Sequence, residues 1–410
     1  MFASANLSAE GRNDNNMRIL FLAVMSLMMA TSCSNLLHPE SKKVPGVVVN
    51  HVPASTNTYI GSPAIVVMPN GHYVASHDYF GPASGEWEKG LTAIYLSKDK
   101  GLTWKKISTI QGQFWSNLFF HKGSLYIMGT WKHHGNLVIR RSDDEGKTWS
   151  SPTDNQHGLL LTGEYHTAPV PIVEYKGRLW RAIENATSPI KEWGKRYSAM
   201  VVSAAVDSDL LLAESWKPTT SLPYNANYLN GQFYAWLEGN AVVTPDKKLV
   251  DILRVDALEK GREWMAQVEV SDDGASVSFE PSRDFFEFSG GAKKFTIRFD
   301  PVSKRYWTLS NFTEKAYANE VPSKVRNMLV LKSSTNLHDW VIHKVLLKSD
   351  NVKQHGFQYV DWQFDGSDII FLSRTAYDDD AGGAQNYHDS NFLTFHRIKN
   401  YPLLIGQSIF

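Results

Sequence analysis

The chain of 410 residues has one cysteine, no net charge and no long apolar run. Because Cys33 is its only cysteine, the sequence offers neither a disulfide nor a cysteine-based metal site. Lys plus Arg and Asp plus Glu number 42 each, so the charge balance gives no reason to expect a nucleic-acid or acidic-membrane partner. The apolar run at residues 19–29 is too short to span a bilayer, and no later stretch approaches that length.

The N-terminus instead resembles an export signal that ends in a lipidation site. Arg18 follows Met17, the apolar run comes next, and Ala30, Thr31 and Ser32 precede Cys33. This pattern predicts a signal peptide with a lipobox over residues 1–33, with Met17 as the natural start and Cys33 as the lipidated residue. We therefore expect an exported protein that contacts a membrane only through its lipid anchor.

The rest of the chain reads as a polar tether followed by one folded domain. Residues 34–58 are rich in polar residues and proline, and residues 59–410 contain no visible linker. Aromatic residues make up 12% of the chain, and short β-like runs alternate with Gly, Asp, Asn and Pro rather than with helical periods. The sequence predicts a single all-β domain over 59–410.

Two segments repeat the same eight-residue pattern. Ser97–Trp104 and Ser142–Trp149 both fit S-x-D-x-G-x-T-W, the Asp-box, in which Ser and Asp cap backbone N–H groups and Gly forms the turn. Degenerate copies begin at Ser271 and Ser334. Repeats spaced about 40–50 residues apart are typical of propeller blades. We expect a six-bladed β-propeller of four-stranded antiparallel blades with Asp-box turns, although the uneven spacing is also compatible with seven.

Such a fold gathers strand ends from every blade around one mouth. The start of each innermost strand and the end of the next lie on one face, and the Asp-boxes lie on the other. The residues predicted to line the mouth are polar, charged or aromatic: His77, Asp78, Trp131 to His134, Tyr165, His166, Glu184, Asn185, Glu238, Asn240, Arg254, Lys293, Lys294, Asn311, Arg326, His355, Gln358, Tyr359 and Arg374. Their convergence predicts a single concave ligand site.

The Asp-boxes and blade pattern resemble those of the sialidase-like glycosidases over the whole exported chain. That family uses a Tyr nucleophile activated by Glu, an Asp acid and three arginines that bind the substrate carboxylate. The resemblance implies that Tyr359 is the nucleophile, that Glu238 is its base, and that Arg254 and Arg326 bind substrate. It implies a glycan substrate and no cofactor or metal.

The sequence departs from the family pattern in the first blade. Gly61-Ser62-Pro63 stands where the family has Arg-Ile-Pro, and the family's acidic Asp has no clear match, although Glu86 or Glu88 could serve. Lys293 or Lys294 could supply the missing positive charge. We expect further substrate contacts from Asp78, Tyr165, His166 and Arg374.

Two alternatives to an exo-acting, sialidase-like hydrolase stay open. His77 beside Asp78 could act as acid or base in a uronate-glycan lyase or a rhamnosidase-like enzyme. The missing Arg and Asp are instead compatible with a glycan-binding lipoprotein without catalytic activity.

Overall fold

The computed structural model describes residues 43–409, which form six four-stranded antiparallel blades. The signal peptide, Cys33 and the first part of the predicted tether lie outside these residues. The prediction of six blades is confirmed and the alternative of seven is wrong. The sequence runs that begin at Ser62, Asn117, Thr167, Asn240, Lys294 and Gln358 predict the innermost strands. The strands begin within a few residues of these positions, except in the fourth blade, where the strand begins earlier, at Phe233.

The blades follow one another along the chain, and their strands run from the innermost to the outermost. Blade I contains Tyr59–Val67, Tyr73–Phe80, Leu91–Ser97 and Lys105–Gln111. Blade II contains Phe114–His121, Ser124–Thr130, Leu137–Ser142 and Leu159–Leu161. Blade III contains two short inner strands, Tyr165–His166 and Val173–Tyr175, then Arg178–Asn185, Ser198–Ala205 and Trp216–Pro218.

The second half of the propeller repeats this arrangement. Blade IV contains Phe233–Val243, Leu249–Ala257, Trp264–Val270 and two short outer strands, Val277–Ser278 and Phe285–Glu287. Blade V contains Thr296–Asp300, Arg305–Asn311, Met328–Ser334 and Val341–Lys348. Blade VI contains Gly356–Asp365, Asp368–Ala376 and Phe392–Ile398, with Val47–His51 as its outermost strand. Short 3₁₀ turns span Ala54–Thr56, Ala213–Ser215, Tyr228–Gly231, Lys315–Tyr317, Pro322–Lys324 and Tyr401–Leu404.

The strand Val47–His51 corrects the predicted tether. Residues 34–58 were expected to be a polar linker, but residues 47–51 pair antiparallel with Phe392–Ile398 and complete blade VI. The N-terminal strand therefore closes the ring by joining the last blade. Its partner lies more than 340 residues away in the chain, so local sequence patterns gave no indication of the pairing.

Two features stabilise the ring. Apolar strand residues pack between neighbouring blades: Ile65, Leu372 and Phe395, for example, share one cluster between blades I and VI. Burying each such side chain contributes about 1.5–3 kcal/mol. In addition, innermost strands are joined by side chains, since Asn240 Oδ1 accepts the Ile297 N–H at 3.0 Å and Asp361 Oδ2 accepts the Ile65 N–H at 2.9 Å.

The two Asp-box segments connect the third and fourth strands of blades I and II. In the second, Ser142 Oγ accepts the Gly146 N–H at 2.8 Å, and Asp144 Oδ1 accepts the Thr148 N–H at 2.9 Å. Trp149 Nε1 donates to the Gly146 carbonyl at 3.0 Å, which folds the indole beneath the turn. These turns lie on the face opposite the predicted mouth. No helix within the described part of the chain is long and apolar enough to cross a membrane.

Candidate active site

A cavity of about 270 Å³ lies at the mouth where the innermost strands begin. Blades I, II, III, IV and VI contribute to its wall. Its lining includes seven residues that the sequence predicted at the mouth: Asp78, Glu86, His133, His166, Glu238, Tyr359 and Arg374.

Three of the side chains that line this cavity come from left-handed backbone positions. Trp115, Glu238 and Tyr359 have φ values of 47°, 53° and 52°, and each lies where its innermost strand shifts register against the next strand. Such a conformation costs about 1–3 kcal/mol for a residue other than glycine, and it is concentrated at functional sites. The same bulge therefore recurs in blades II, IV and VI.

The bulge at Glu238 is held by its neighbours. The Gly239 N–H donates to Glu184 Oε1 at 3.2 Å, and Glu184 Oε2 lies 2.7 Å from His166 Nδ1. A Cβ atom at position 239 would overlap the carboxyl group of Asp251, so glycine is required there. Glu184 thus fixes both His166 and the backbone that carries Glu238.

Glu238 and Tyr359 share one partner, Arg254. Nη1 of Arg254 lies 2.9 Å from Glu238 Oε2 and 3.5 Å from the Tyr359 hydroxyl. Burial alone would raise the pKa of Glu238, but the guanidinium of Arg254, helped by His166 and Arg326, holds it below its ordinary value. The guanidinium of Arg254 thus joins a carboxylate to the phenol, and these are the groups that activation of a tyrosine nucleophile uses.

Two further arginines contact the Tyr359 ring. The guanidinium of Arg326 lies 5.4 Å from the ring centre, and that of Arg374 lies 4.6 Å from it. Arg374 also stacks on Phe80 at 4.2 Å. Arg374 lines the cavity, whereas Arg254 and Arg326 are buried behind Glu238 and Tyr359.

Asp78 occupies the blade I side of the cavity. Its Oδ2 accepts the Trp115 N–H at 3.3 Å, and its buried Oδ1 has no hydrogen-bond partner within residues 43–409. Burial raises the pKa of Asp78 to about 7, although the Trp115 N–H and Arg374 act in the opposite direction. A carboxylic acid in this environment can donate a proton near neutral pH.

Asp78 leaves no room for a larger side chain at Gly61. A Cβ atom on Gly61 would lie 2.5 Å from the Asp78 carbonyl oxygen and 2.8 Å from its carboxyl carbon. No larger side chain fits there without displacing Asp78. The nearby positive charge comes from blade VI instead, through Arg374.

Glu86 lines the cavity, but both of its carboxylate oxygens already have hydrogen-bond partners. Its Oε1 lies 3.1 Å from His133 Nδ1, and its Oε2 accepts the Gly81 N–H at 3.1 Å. These contacts favour a positioning role for Glu86 and leave Asp78 as the better acid.

Three predicted site residues, His77, Tyr165 and Lys293, do not line the cavity. His77 is fully buried, with Nε2 bonded to Asn50 at 3.0 Å and Nδ1 to the Asp78 carbonyl at 2.9 Å, and burial lowers its pKa to about 4. Tyr165 packs against the apolar cluster of blades II and III. Successive strand residues face opposite sides, so Asp78 and His166 reach the cavity and their neighbours His77 and Tyr165 do not.

The ammonium group of Lys293 is bonded outside the cavity, because its Nζ donates to Glu263 at 2.7 Å and to Thr313 at 3.0 Å. It therefore cannot replace the missing arginine at the cavity.

Five aromatic or imidazole side chains in the cavity wall were not predicted from the sequence: Phe80, Phe114, Trp115, Trp193 and His388. Trp115 precedes the predicted strand start by two residues. Trp193 and His388 lie on long connections without a strand pattern, so nothing local signalled their position. No group of three or more His, Cys, Asp or Glu side chains in residues 43–409 is arranged to hold a metal ion.

Comparison with known proteins extends only to the fold. No protein-family model and no curated protein matches the sequence. Among solved structures, an α-L-arabinanase from Penicillium chrysogenum complexed with arabinobiose is similar, with 13% identity, 87% of this chain and 98% of that chain covered, and a TM-score of 0.53.

Two other enzymes of known structure are similar over the same extent. An α-L-arabinofuranosidase variant from Fusarium graminearum, in complex with an iminosugar inhibitor, matches with 13% identity, 87% and 97% coverage and a TM-score of 0.54. An intramolecular trans-sialidase from Ruminococcus gnavus, in complex with oseltamivir carboxylate, matches with 12% identity, 87% and 98% coverage and a TM-score of 0.51.

The chain has the six-bladed propeller fold of these glycosidases. At this level of identity, the likeness does not transfer a substrate or a catalytic residue.

Proposed function

We propose that this protein is an exo-acting glycoside hydrolase that removes a terminal acidic sugar from a glycan. Tyr359 is the nucleophile, Glu238 its base and Asp78 the general acid. The observation that carries the proposal is the contact of Arg254 with both Glu238 and Tyr359, beside a cavity that Asp78 also lines.

The proposed reaction proceeds in two displacements. The Tyr359 oxygen attacks the anomeric carbon and its proton passes to Glu238, while Asp78 protonates the departing glycosidic oxygen. Water then attacks the same carbon and gives a proton to the Asp78 carboxylate, and Glu238 returns its proton to Tyr359. Arg254 stabilises the phenolate oxygen during both steps.

The arginines support an acidic sugar. Neither Arg326 nor Arg374 forms an ion pair with a carboxylate in the described part of the chain, and the buried Nε of Arg374 has no hydrogen-bond partner there. A buried cation that forms no direct ion pair is costly, and an anionic ligand would reduce that cost. A sugar carboxylate can pair with Arg374 at the cavity wall.

The size of the cavity supports an exo mode of action. Its volume of about 270 Å³ is at the lower end of ordinary ligand sites, which suits one sugar residue rather than a chain. Solved glycosidases of this fold include a trans-sialidase complexed with oseltamivir carboxylate and an arabinanase complexed with arabinobiose, so the fold accommodates both a carboxylate ligand and a neutral sugar.

The test is hydrolysis of a panel of aryl glycosides by the wild type and the Tyr359→Phe variant. The panel contains a sialoside, a glucuronide, an α-L-arabinofuranoside and an α-rhamnoside. We expect the wild type to prefer an acidic sugar and Tyr359→Phe to lose at least about 1000-fold in kcat, because phenylalanine cannot form the glycosyl intermediate.

Tyr175→Phe, which removes a hydroxyl at the end of the strand Val173–Tyr175 on the face opposite the cavity, is the control and should retain wild-type activity. Full activity of Tyr359→Phe would contradict the assignment of the nucleophile. A wild type that binds but cleaves none of the substrates would favour a binding protein.

A second mechanism is favoured by one observation. Asp78 and Glu238 line the same cavity with their pKa values moved in opposite directions, which is the pattern of a paired-carboxylate glycosidase. In that mechanism Glu238 attacks directly and Tyr359 only positions the sugar. Loss of activity in Glu238→Gln with substantial activity in Tyr359→Phe would identify it.

A further inference from the structure

We propose that an open cleft beside the cavity binds the first sugar on the leaving-group side of the scissile bond. This inference rests on the proposed function and specifies which part of the substrate the enzyme recognises beyond the terminal sugar. The cleft has a volume of about 390 Å³ and lies over blades II and III. Its principal side chains are Trp87, Trp131, Lys132, His133, Glu164 and Arg196.

The cleft is continuous with the cavity. His133 lines both, and Glu86 in the cavity wall is followed directly by Trp87 in the cleft wall. The Trp87 indole stacks on the His133 ring at 3.6 Å, and the His133 ring lies 4.3 Å from that of Trp115 inside the cavity. A ligand that fills the cavity and extends outward along these rings enters the cleft.

The position of the general acid sets the direction of the substrate. Asp78 accepts the Trp115 N–H, so the acid and the aromatic rings that lead to the cleft share one wall. Glu238 and Tyr359 come from blades IV and VI. The leaving oxygen must lie on the side of the group that protonates it, so the rest of the glycan leaves the cavity toward Trp87.

The surface of the cleft suits a sugar ring. Trp87 is 57% exposed and offers one indole face to solvent. Beyond it, Arg196 Nη2 donates to Glu164 Oε2 at 2.7 Å and Nη1 lies 3.0 Å from His134 Nδ1. An exposed aromatic face bordered by charged hydrogen-bonding groups matches the apolar face and hydroxyl rim of a sugar.

Trp87 is also held in place before any ligand binds. The His133 ring beneath it is bonded to Glu86 Oε1 at 3.1 Å, and the His133 N–H donates to the Glu86 carbonyl at 2.9 Å. A stacking partner that is already ordered loses little conformational freedom on binding. The same contacts explain why Glu86, which is engaged with His133, serves the site by positioning it.

The first experiment compares two substrates that share the terminal sugar identified by the panel. One is a disaccharide that places a second sugar in the cleft, and the other is the glycosyl fluoride, whose leaving group is too small to reach it. We expect kcat/KM of Trp87→Ala to fall about tenfold more on the disaccharide than on the fluoride. Equal losses on the two substrates would overturn the proposal.

Phe299→Ala is the matched control, because Phe299 is 48% exposed and belongs to the strand Thr296–Asp300 near the opposite face. It should give the wild-type ratio of the two kcat/KM values. If the ratio in Phe299→Ala falls as much as the ratio in Trp87→Ala, the proposal is also overturned, since the effect is then not specific to the cleft.

A binding experiment separates failure of this inference from failure of the proposed function. Sialyllactose and arabinobiose are titrated calorimetrically into Tyr359→Phe and into Tyr359→Phe with Trp87→Ala. At least tenfold weaker binding by the double variant supports the cleft even if the wild type hydrolyses nothing. Equal affinities, or no binding of either glycan, overturn it.

Discussion

At the scale of single residues, Asp78 is a carboxyl group in an environment that its residue type does not prefer. It is buried beside a strand bulge, its Oδ1 has no partner in residues 43–409, and its pKa is raised to about 7. An unpaired buried carboxyl group is destabilising, so its presence in the cavity is best explained by proton transfer.

Replacing Asp78 with asparagine should impair catalysis to an extent that depends on the leaving group. We expect a loss of about 100- to 10,000-fold on a natural glycosidic bond and a much smaller loss on a glycosyl fluoride, whose departure needs little protonation. The wild-type kcat/KM should fall as the pH rises above about 7, because the acid must be protonated. A pH profile of Asp78→Asn that keeps this alkaline limb would contradict the assignment.

The same substitution should increase the stability of the protein at alkaline pH, although it impairs catalysis. The folded-state pKa of Asp78 lies above its ordinary value of 3.8, so the folded protein binds more protons between these values and stability decreases as the pH rises through them. Asparagine cannot ionise. Thermal unfolding should therefore show Asp78→Asn more stable than the wild type at pH 8.5, with a smaller difference at pH 5.

Part of the site could be predicted from residue types and their order. Glu238, Arg254 and Tyr359 were expected together because innermost strands begin, and the next strands end, at the mouth. The structure places Arg254 in contact with both Glu238 and Tyr359. The role of Asp78 could not be predicted, because a raised pKa depends on burial by distant residues. In addition, neighbouring residues of a strand face opposite sides of the sheet, so a prediction that is wrong by one residue selects a side chain that faces away from the cavity, as with His77 and Tyr165.

At the scale of elements, the blades were predictable because each contains its own strand alternation and turns. The bulges at Trp115, Glu238 and Tyr359 were not, since a left-handed residue other than glycine has no local signature. The closing strand Val47–His51 was also missed. It forms only because the edge of the strand Phe392–Ile398 is available to pair with it.

Removing the closing strand should weaken the whole ring. The strand buries Val49, stacks His51 on Phe392 at 4.4 Å and bonds Asn50 to His77 at 3.0 Å. We expect a protein that begins at residue 52 to lose about 2–3 kcal/mol of unfolding free energy, measured in urea, and to aggregate through the exposed edge. A protein that begins at residue 43 is the control, and equal urea midpoints would contradict this account.

At the scale of the whole molecule, the propeller separates its two faces. The cavity assembles from five blades on one face, and the Asp-box turns lie on the other. The contact between Arg254 and Tyr359 joins residues 105 positions apart in blades IV and VI, and Asp78 contacts Trp115 of the next blade. The composition of the site is therefore a property of the closed ring and not of any single blade.

The chain enters the propeller at the face remote from the cavity. Val47 pairs with Phe395 and His51 with Phe392, so the strand runs toward the loop that carries His388 into the cavity wall. We propose that the protein is exported and anchored through Cys33, as the sequence of residues 17–33 indicates.

Replacing Cys33 with serine should therefore release the protein from the membrane without changing its chemistry. We expect Cys33→Ser to move from the membrane to the soluble fraction of cells, because serine cannot form the thioether to the lipid. Its kcat/KM on a soluble aryl glycoside should equal that of the wild type. Ser32→Ala, which leaves the cysteine in place, is the control and should remain in the membrane. Retention of Cys33→Ser in the membrane would contradict anchoring through this residue.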